Sequence, residues 1–462
     1  MAEKSAIPVE LGTEKIGRLL KQYALPAIIA QTASSLYNMV DSIFIGQGVG
    51  PLAISGLAVT FPLMNLSTAF GTLVGAGAAT MLSVLLGQKN YKAANKVLGN
   101  VVSLNVILGL LFMAVALIFI DPILYFFGAS ENTLPYAKEY IQIILYGNIV
   151  THLYFGLNAA MRSSGNPKKA MALTIFTVVF NTILDPIFIF VFDMGIAGAA
   201  WATVIAQTAA MIVVLKHFSD KSRAFHFEKG IFKLDPRVAK DSLVIGMGPF
   251  LMNAAACLVT LFINQQLRDY SGDLGIGSYG ICNRFIFMFI MICMGLNQGM
   301  QPIAGYNYGA KQYSRVKEVF WITAKFGTIV TTICFCIGMF IPRLAAGIFT
   351  HDEALLNMSA EGMRILTIGF PIVGFQMIGT NFFQCLGMVK KSIILSLSRQ
   401  LLFLLPLLYC LPLWMGANGV WMSFPISDVL SAILTAILLR RLFKKFNTLK
   451  DGEESTILGS NL

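Results

Sequence analysis

Residues 85–97 read LLGQKNYKAANKV, and residues 307–319 read NYGAKQYSRVKEV. Superposed at an offset of 222, they match Gly87 with Gly309, Lys89 with Lys311 and Tyr91 with Tyr313. The same offset sets GPLAISGLAVTFPL (50–63) on GDLGIGSYGICNRF (272–285), and SSGNPKK (163–169) on CLGMVKK (385–391). Chance does not hold one register across three separated segments. The chain is therefore read as two lobes of the same orientation: 1–216, a basic linker at 217–241, and 242–462. Parallel repeats of this kind pack as two halves and support alternating access by rocking.

The segments between these landmarks are apolar. Of 462 residues, 56% are hydrophobic and only 12% charged, against about 25% charged in a soluble domain. Twelve helical spans are expected, near 23–46, 52–86, 97–120, 137–161, 170–192, 197–216, 243–267, 274–306, 319–342, 356–386, 393–413 and 419–440. Most reach the ~20 residues that cross a hydrocarbon core. The fold class is thus an all-α polytopic membrane protein of two pseudo-symmetric six-helix lobes. The first 22 residues are polar and lack the apolar stretch of a cleaved signal. The seven cysteines are odd in number and form no CxxC, so they read as small buried hydrophobes.

The net charge of +11 would suit a nucleic-acid partner, but its placement argues against one. Of the 34 Lys and Arg residues, 28 fall in alternate connections on one side, Arg399 counted among them. Lys138, Arg268 and Arg343 lie on the other side, and Arg284, Lys325 and Arg364 within spans. The positive-inside rule then places both termini in the cytoplasm. The surplus contacts anionic headgroups.

Against this background, NTILDPIFIF (181–190) carries an acid at bilayer depth. A carboxylate there costs about 2.5–3.5 kcal/mol on insertion scales and needs a partner, a proton or water. Asn181 lies four residues before Asp185, so the two share a helix face. Pro186 removes the donor for the Thr182 carbonyl and disfavours helical geometry at Asp185. In LYNMVDSIFIG, Tyr37 and Asn38 precede Asp41 by four and three residues, which puts hydroxyl, amide and carboxylate on one stripe. At the repeat offset Asp41 meets Ile263 or Asn264, Asn181 meets Phe403 and Asp185 meets Leu407. The acids exist in one lobe only, as a single coupling site for Na⁺ or a proton requires.

The segments NMVDSIFIG, LGQKNYKAANKV, AMRSSGNPKK, NTILDPIFIF, GIAGAAWAT and GSYGICNRF resemble the multidrug and toxic compound extrusion (MATE) family, most closely its MepA-like bacterial branch. The likeness runs from about residue 15 to 445. It implies a V-shaped twelve-helix antiporter that exports bulky, often cationic and amphipathic compounds against entering Na⁺ or H⁺. It further implies Asp41, Asn181, Asp185 and Thr203 as the ion or proton site, and as the metal ligands if the ion is Na⁺. Tyr37, Asn38, Tyr140 and Asn158 fall on its surrounding polar network. Another branch carries acids in the seventh and tenth spans; here the seventh has none, and Glu361 of the tenth lies near its outer end.

Met288, Met291 and Met294 recur at spacing three, with Phe285 and Phe289 beside them. Methionine adapts to varied shapes and aromatic faces attract cations, so this wall suits a promiscuous cavity as well as ordinary packing. Met64 and Asp428 join Phe285 and the three methionines as candidate cavity residues; Asp428 could equally bond to Ser427 or Ser431. His152 reads as a hydrogen-bonded packing residue that could also titrate. Gly75, Gly77 and Ala79 let helices approach closely.

No GxSxG, HExxH, paired-histidine or Walker signature occurs, so neither an enzyme nor an ATP-driven pump is expected. The expectation is a monomeric cation-coupled antiporter for small organic cations, with the lipid bilayer as its other partner, no nucleic acid and no cofactor beyond H⁺ or Na⁺. The alternative is a flippase of a lipid-linked precursor. Anionic lipid-linked sugars would call for a cationic cavity, and this chain places acids in its spans instead.

Overall fold

The structure is a computed structural model, and it describes residues 9–223, 225–228, 230, 232–350 and 352–453; at 38, 39, 42, 43, 46, 51, 54 and 273 it describes the backbone alone. Among the described residues there is no β-strand, and helices occupy each of the twelve expected segments. Nine of these helices are individually long and apolar enough to cross a membrane. Glu353–Thr367 and Phe370–Cys385, bent by 55° at their break, make a tenth span together. The fourth segment is divided at Gly147 into Leu134–Tyr146 and Asn148–Ser163, so neither piece spans alone. The first, Ile16–Gly48, is 33 residues long. Spans are numbered below in the order of the twelve segments.

Two compact units emerge. One is Ile29–Phe250 with the short stretch before Glu14; the other joins Glu14–Ile28 to the chain from Leu251 onward. The boundaries fall inside the first and seventh spans, after Ile28 and after Phe250, 222 residues apart. Each unit is closed by small residues. In the first, a Cβ on Gly77 would collide with the Ser242 carbonyl, and one on Gly246 with the Leu73 carbonyl. In the second, Gly295 and Gly299 sit against Ile28 and Ala24. Backbones this close gain dispersion contacts that larger side chains would prevent.

The repeat is visible in backbone detail. Lys89 and Lys311 both adopt φ 59°, and Gly165 and Gly387 both have positive φ. The segment after the sixth span docks on the third: Asn95 Nδ2 donates to Glu228 at 2.8 Å and Ser103 Oγ to the Phe232 carbonyl at 2.7 Å. The tail after the twelfth span docks likewise on the ninth. Ser314 N–H donates to Asp451 at 3.1 Å, and Tyr313 Oη to the Glu453 carbonyl at 3.0 Å. All seven cysteines are free; Cys336 and Cys410 are exposed, and Cys257 is half-buried.

Two expectations change here. Pro186 does not take Asp185 out of helical geometry. The helix Pro167–Pro186 runs through it and then widens into a π-helical stretch, Ile187–Val191. Widening the register is how the chain absorbs a missing N–H without a break. Arg399 is not in a cytoplasmic connection. It lies in a second π-helical stretch, Ser398–Leu404, in the interior of the eleventh span (Val389–Met415).

Candidate functional site

In the first unit four helices bring oxygen-bearing side chains together. The first span supplies Tyr37 and Asp41, one turn apart on one face. The fifth supplies Asn181 and Asp185, again one turn apart. The sixth, Gly195–Ser219, supplies Thr203. Its approach depends on Gly198, where a Cβ would lie 2.9 Å from the Phe188 carbonyl carbon of the π-helical stretch. Tyr140 comes from the first half of the fourth span.

The contacts are specific. The Thr203 hydroxyl donates to the Ala199 carbonyl at 3.1 Å, leaving its oxygen to accept the Tyr37 hydroxyl at 2.9 Å. With the Asn181 amide turned so that both ends are satisfied, its nitrogen donates to Asp185 Oδ2 at 3.1 Å and its oxygen accepts the Thr203 N–H at 2.9 Å. Asp41 and Asp185 face each other closely enough for each carboxyl to act on the other. Two carboxylates at that separation repel, so the pair needs a proton or a cation between them. Asp185 is fully buried and Asp41 is 5% exposed. Asp41 Oδ1 is buried with no hydrogen-bond partner. A buried acceptor left open costs free energy, and a carboxylate oxygen in that position suits a hard cation or a proton. The acids therefore form one coupled pair and not two independent sites.

Tyr140 is buried in the adjoining apolar cluster with Ile45, Ile189, Ala199 and Ala200, within electrostatic range of both acids. The side chain of Asn38 lies outside the described residues. Asn158 is placed elsewhere. Its amide donates to the Ala170 carbonyl at 3.1 Å, and Ala170 is fifteen residues before Asp185, roughly 22 Å along the helix.

The candidate cavity residues are distributed over both units and are described within each. Phe285 is 6% exposed inside the second unit's apolar core and packs on Phe289 at 5.3 Å. Met288 is 59% exposed, whereas Met291 and Met294 are half-buried. Met64 is packed into the first unit's apolar clusters, its sulfur 3.8 Å from the Thr60 hydroxyl. Asp428 bonds to neither serine beside it; Arg399 Nε donates to its Oδ1 at 2.6 Å. The pairing was not legible in the sequence, because Arg399 counts as a surface charge when connections are drawn from charge alone.

A second polar cluster gives His152, read from the sequence as a hydrogen-bonded packing residue, the partners that the sequence did not name. His152 Nε2 meets the Ser67 carbonyl at 2.8 Å, the Ser67 hydroxyl donates to Asn148, and Asn148 Nδ2 donates to the Gly109 carbonyl at 3.2 Å. Ser67, Asn148 and His152 thus tie the second, third and fourth spans together inside the first unit. Asn148 and His152 four residues apart were the available signal. Among the described residues no group of three or more His, Cys, Asp or Glu side chains is placed to hold a metal; the Asp41–Asp185 cluster draws its further oxygens from Asn181 and Thr203.

Comparison with known proteins gives a consistent result. The family model described as MatE matches the chain twice, over residues 26–187 and 249–410. The multidrug export protein MepA of Staphylococcus aureus (strain MRSA252) is 28% identical over 426 residues, which cover 92% of this chain and 94% of that protein. The structure of the MATE multidrug transporter DinF-BH in complex with rhodamine 6G superposes with a TM-score of 0.88 at 37% identity, covering 95% of this chain and 98% of that one. An outward-facing MATE family transporter of the MOP superfamily superposes with a TM-score of 0.90 at 22% identity, covering 97% and 100%; at that identity the likeness is one of fold.

Proposed function

The chain belongs to the MatE family of multi-pass membrane transporters, and from that premise we propose that it is a cation-coupled multidrug antiporter. In this reading it exports bulky amphipathic organic cations across a bacterial inner membrane, with both termini cytoplasmic. The observation that carries the proposal is the buried pair Asp41–Asp185, confined to the first repeat. The names of its relatives, a multidrug export protein and a transporter bound to rhodamine 6G, support the cargo class.

The cycle follows from the pair's chemistry. With one carboxyl of the pair holding a proton, an entering cation neutralises the other, and the neutral cluster can be enclosed in apolar surroundings at low cost. Once the cation leaves toward the cytoplasm, the charged pair requires water or a partner, and the closed arrangement is disfavoured. Binding energy that differs between two conformations is what shifts their populations. Exchange of the cation thereby drives alternate exposure of the cargo site by movement of the two repeats. Close approach of the two carboxyls favours a proton as the driving ion. Na⁺ is the second reading, with Asp41, Asn181, Asp185 and Thr203 as its oxygen donors.

Efflux of rhodamine 6G from proteoliposomes, driven by an imposed proton or Na⁺ gradient, tests this. Wild type is expected to pump under one gradient. Asp41→Asn and Asp185→Asn are expected to insert normally and to lose at least ~90% of gradient-driven efflux. Normal pumping by both variants under either gradient would remove the coupling assignment.

A further inference from the structure

The second unit has no acid at the positions that match Asp41 and Asp185, yet it buries a carboxylate one helical turn from the position that matches Thr203. Asp428 in the twelfth span is 2% exposed and receives the Arg399 Nε donor of the eleventh. These spans repeat the fifth and sixth. At the 222 offset Arg399 matches Thr177, one turn before Asn181, and Asp428 matches Ala206, one turn after Thr203. Since consecutive spans run in opposite directions, both shifts point toward the same membrane face. The second unit thus has a buried polar site between the same two helices as the first, displaced by about one turn.

Two further features set it apart from an ordinary ion pair. Both helices at the fifth position of their repeat contain a π-helical stretch, Ile187–Val191 after Asp185 and Ser398–Leu404 around Arg399. Such turns are rare and concentrate at functional sites. Asp428 also reaches the break in the tenth span, where a Cβ on Gly369 would lie 3.2 Å from its Oδ2. Tyr279, whose ring lies tilted against those of Trp421 and Phe424 at 6.3 and 5.8 Å, is within electrostatic range of Arg399. A buried ion pair is weak evidence of stability, since apolar residues of equal volume often do as well.

We propose that Arg399 is a tethered cation: in the second repeat its guanidinium takes the place that the transported cation takes in the first. Asp428 is thereby kept permanently neutralised, and the protein moves cations through one repeat only. Arg399 is a positioning and stoichiometry-setting residue, not a cargo ligand. The inference rests on the cation-coupled reading above. If it holds, removing the guanidinium turns Asp428 into a second carboxyl that takes up a proton or small cation in each cycle. The groups around Asp428 leave it no other neutralising charge. Ser427 donates to the Phe424 carbonyl at 2.8 Å, Ser431 accepts from Gln376 at 3.1 Å, Gly369 offers only backbone, and Tyr279 lies within electrostatic range of Arg399. Among the described residues Arg399 is the charge that acts on it.

The test is the cation-to-cargo ratio, read as the zero-flux potential of rhodamine 6G transport in proteoliposomes. Arg399→Met, which keeps the bulk, is expected to raise the ratio by one cation per dye molecule. Arg399→Lys and the double variant Arg399→Met with Asp428→Asn are expected to keep the wild-type ratio. An active Arg399→Met variant with an unchanged ratio overturns the proposal. If Arg399→Met does not pump, the double variant decides: pumping at the wild-type ratio assigns the damage to the uncovered carboxyl, and an inactive double variant overturns the idea. A wild type indifferent to every gradient would defeat the coupling reading itself. A gradient-driven wild type whose active Arg399→Met variant keeps the same ratio defeats only this inference.

Discussion

At the scale of the residue, function is concentrated in a few oxygens whose neighbours are fixed by geometry. Thr203 is the hub, since it accepts from Tyr37 and its backbone N–H meets Asn181. Thr203→Val keeps the shape and removes the acceptor. A hydrogen bond of this kind contributes about 1 kcal/mol net, and more when a buried partner is left open. The expected outcome is a roughly five- to tenfold loss of apparent affinity for the driving cation, read from the cation dependence of dye efflux, with little change in expression. An unchanged half-saturation would mean that Thr203 only packs. Asp41, Asn181 and Asp185 were legible in the sequence, because spacings of four on apolar helices declare a shared face. The association of Asp428 with Arg399 was not, because 29 residues and a change of helix separate them.

At the scale of the element, helix ends and close crossings decide the fold. Asp235 stands at the start of the seventh span. Its Oδ1 accepts the Val238 N–H at 3.4 Å and the Arg237 N–H at 3.1 Å, and Lys96 lies 3.5 Å away. The Val238 N–H, followed by the Arg237 N–H and the Lys96 ammonium, holds this carboxyl below the usual carboxylate range despite some desolvation. A depressed folded-state value gives stabilisation that is present above the unfolded value, about 3.9, and lost as pH falls through the folded one. Thermal unfolding in detergent should therefore show wild type losing its advantage over Asp235→Ala in acid, while near neutral pH the variant is less stable by about 1 kcal/mol. Equal unfolding at all pH values would show that the cap contributes nothing. Gly374 makes a different point. A Cβ there would strike the Gly327 carbonyl, so Gly374→Val must push the ninth and tenth spans apart. A destabilisation of about 1–3 kcal/mol is expected, visible as a lower unfolding temperature with the cation dependence of any remaining efflux intact. The sequence marked small residues in the second span as packing positions, but it could not say which helix would face them. The π-helical stretches were equally hidden, since a widened turn leaves no pattern in hydropathy.

At the scale of the whole molecule, the chain is one six-helix design written twice and then differentiated. Orientation is the property most open to direct test. In a cysteine-free background, Ser222→Cys should react with an impermeant maleimide only from the cytoplasmic side, and Ser130→Cys only from the outside; both positions are exposed. The opposite labelling would reverse the topology. By itself the sequence determined the membrane class, the duplication and its register, the place of most helices, and the one-sided distribution of acids. These are properties of composition and local spacing, and the bilayer enforces them because each span must satisfy its own backbone. Tertiary structure alone decided that the compact units change within the first and seventh spans, that Asn158 serves a different helix contact from Asp185, and that Arg399 is an interior charge committed to Asp428. Such facts depend on which faces of distant helices meet. Hydropathy cannot carry that information, because lipid-facing and protein-facing sides of a membrane helix are alike in being apolar.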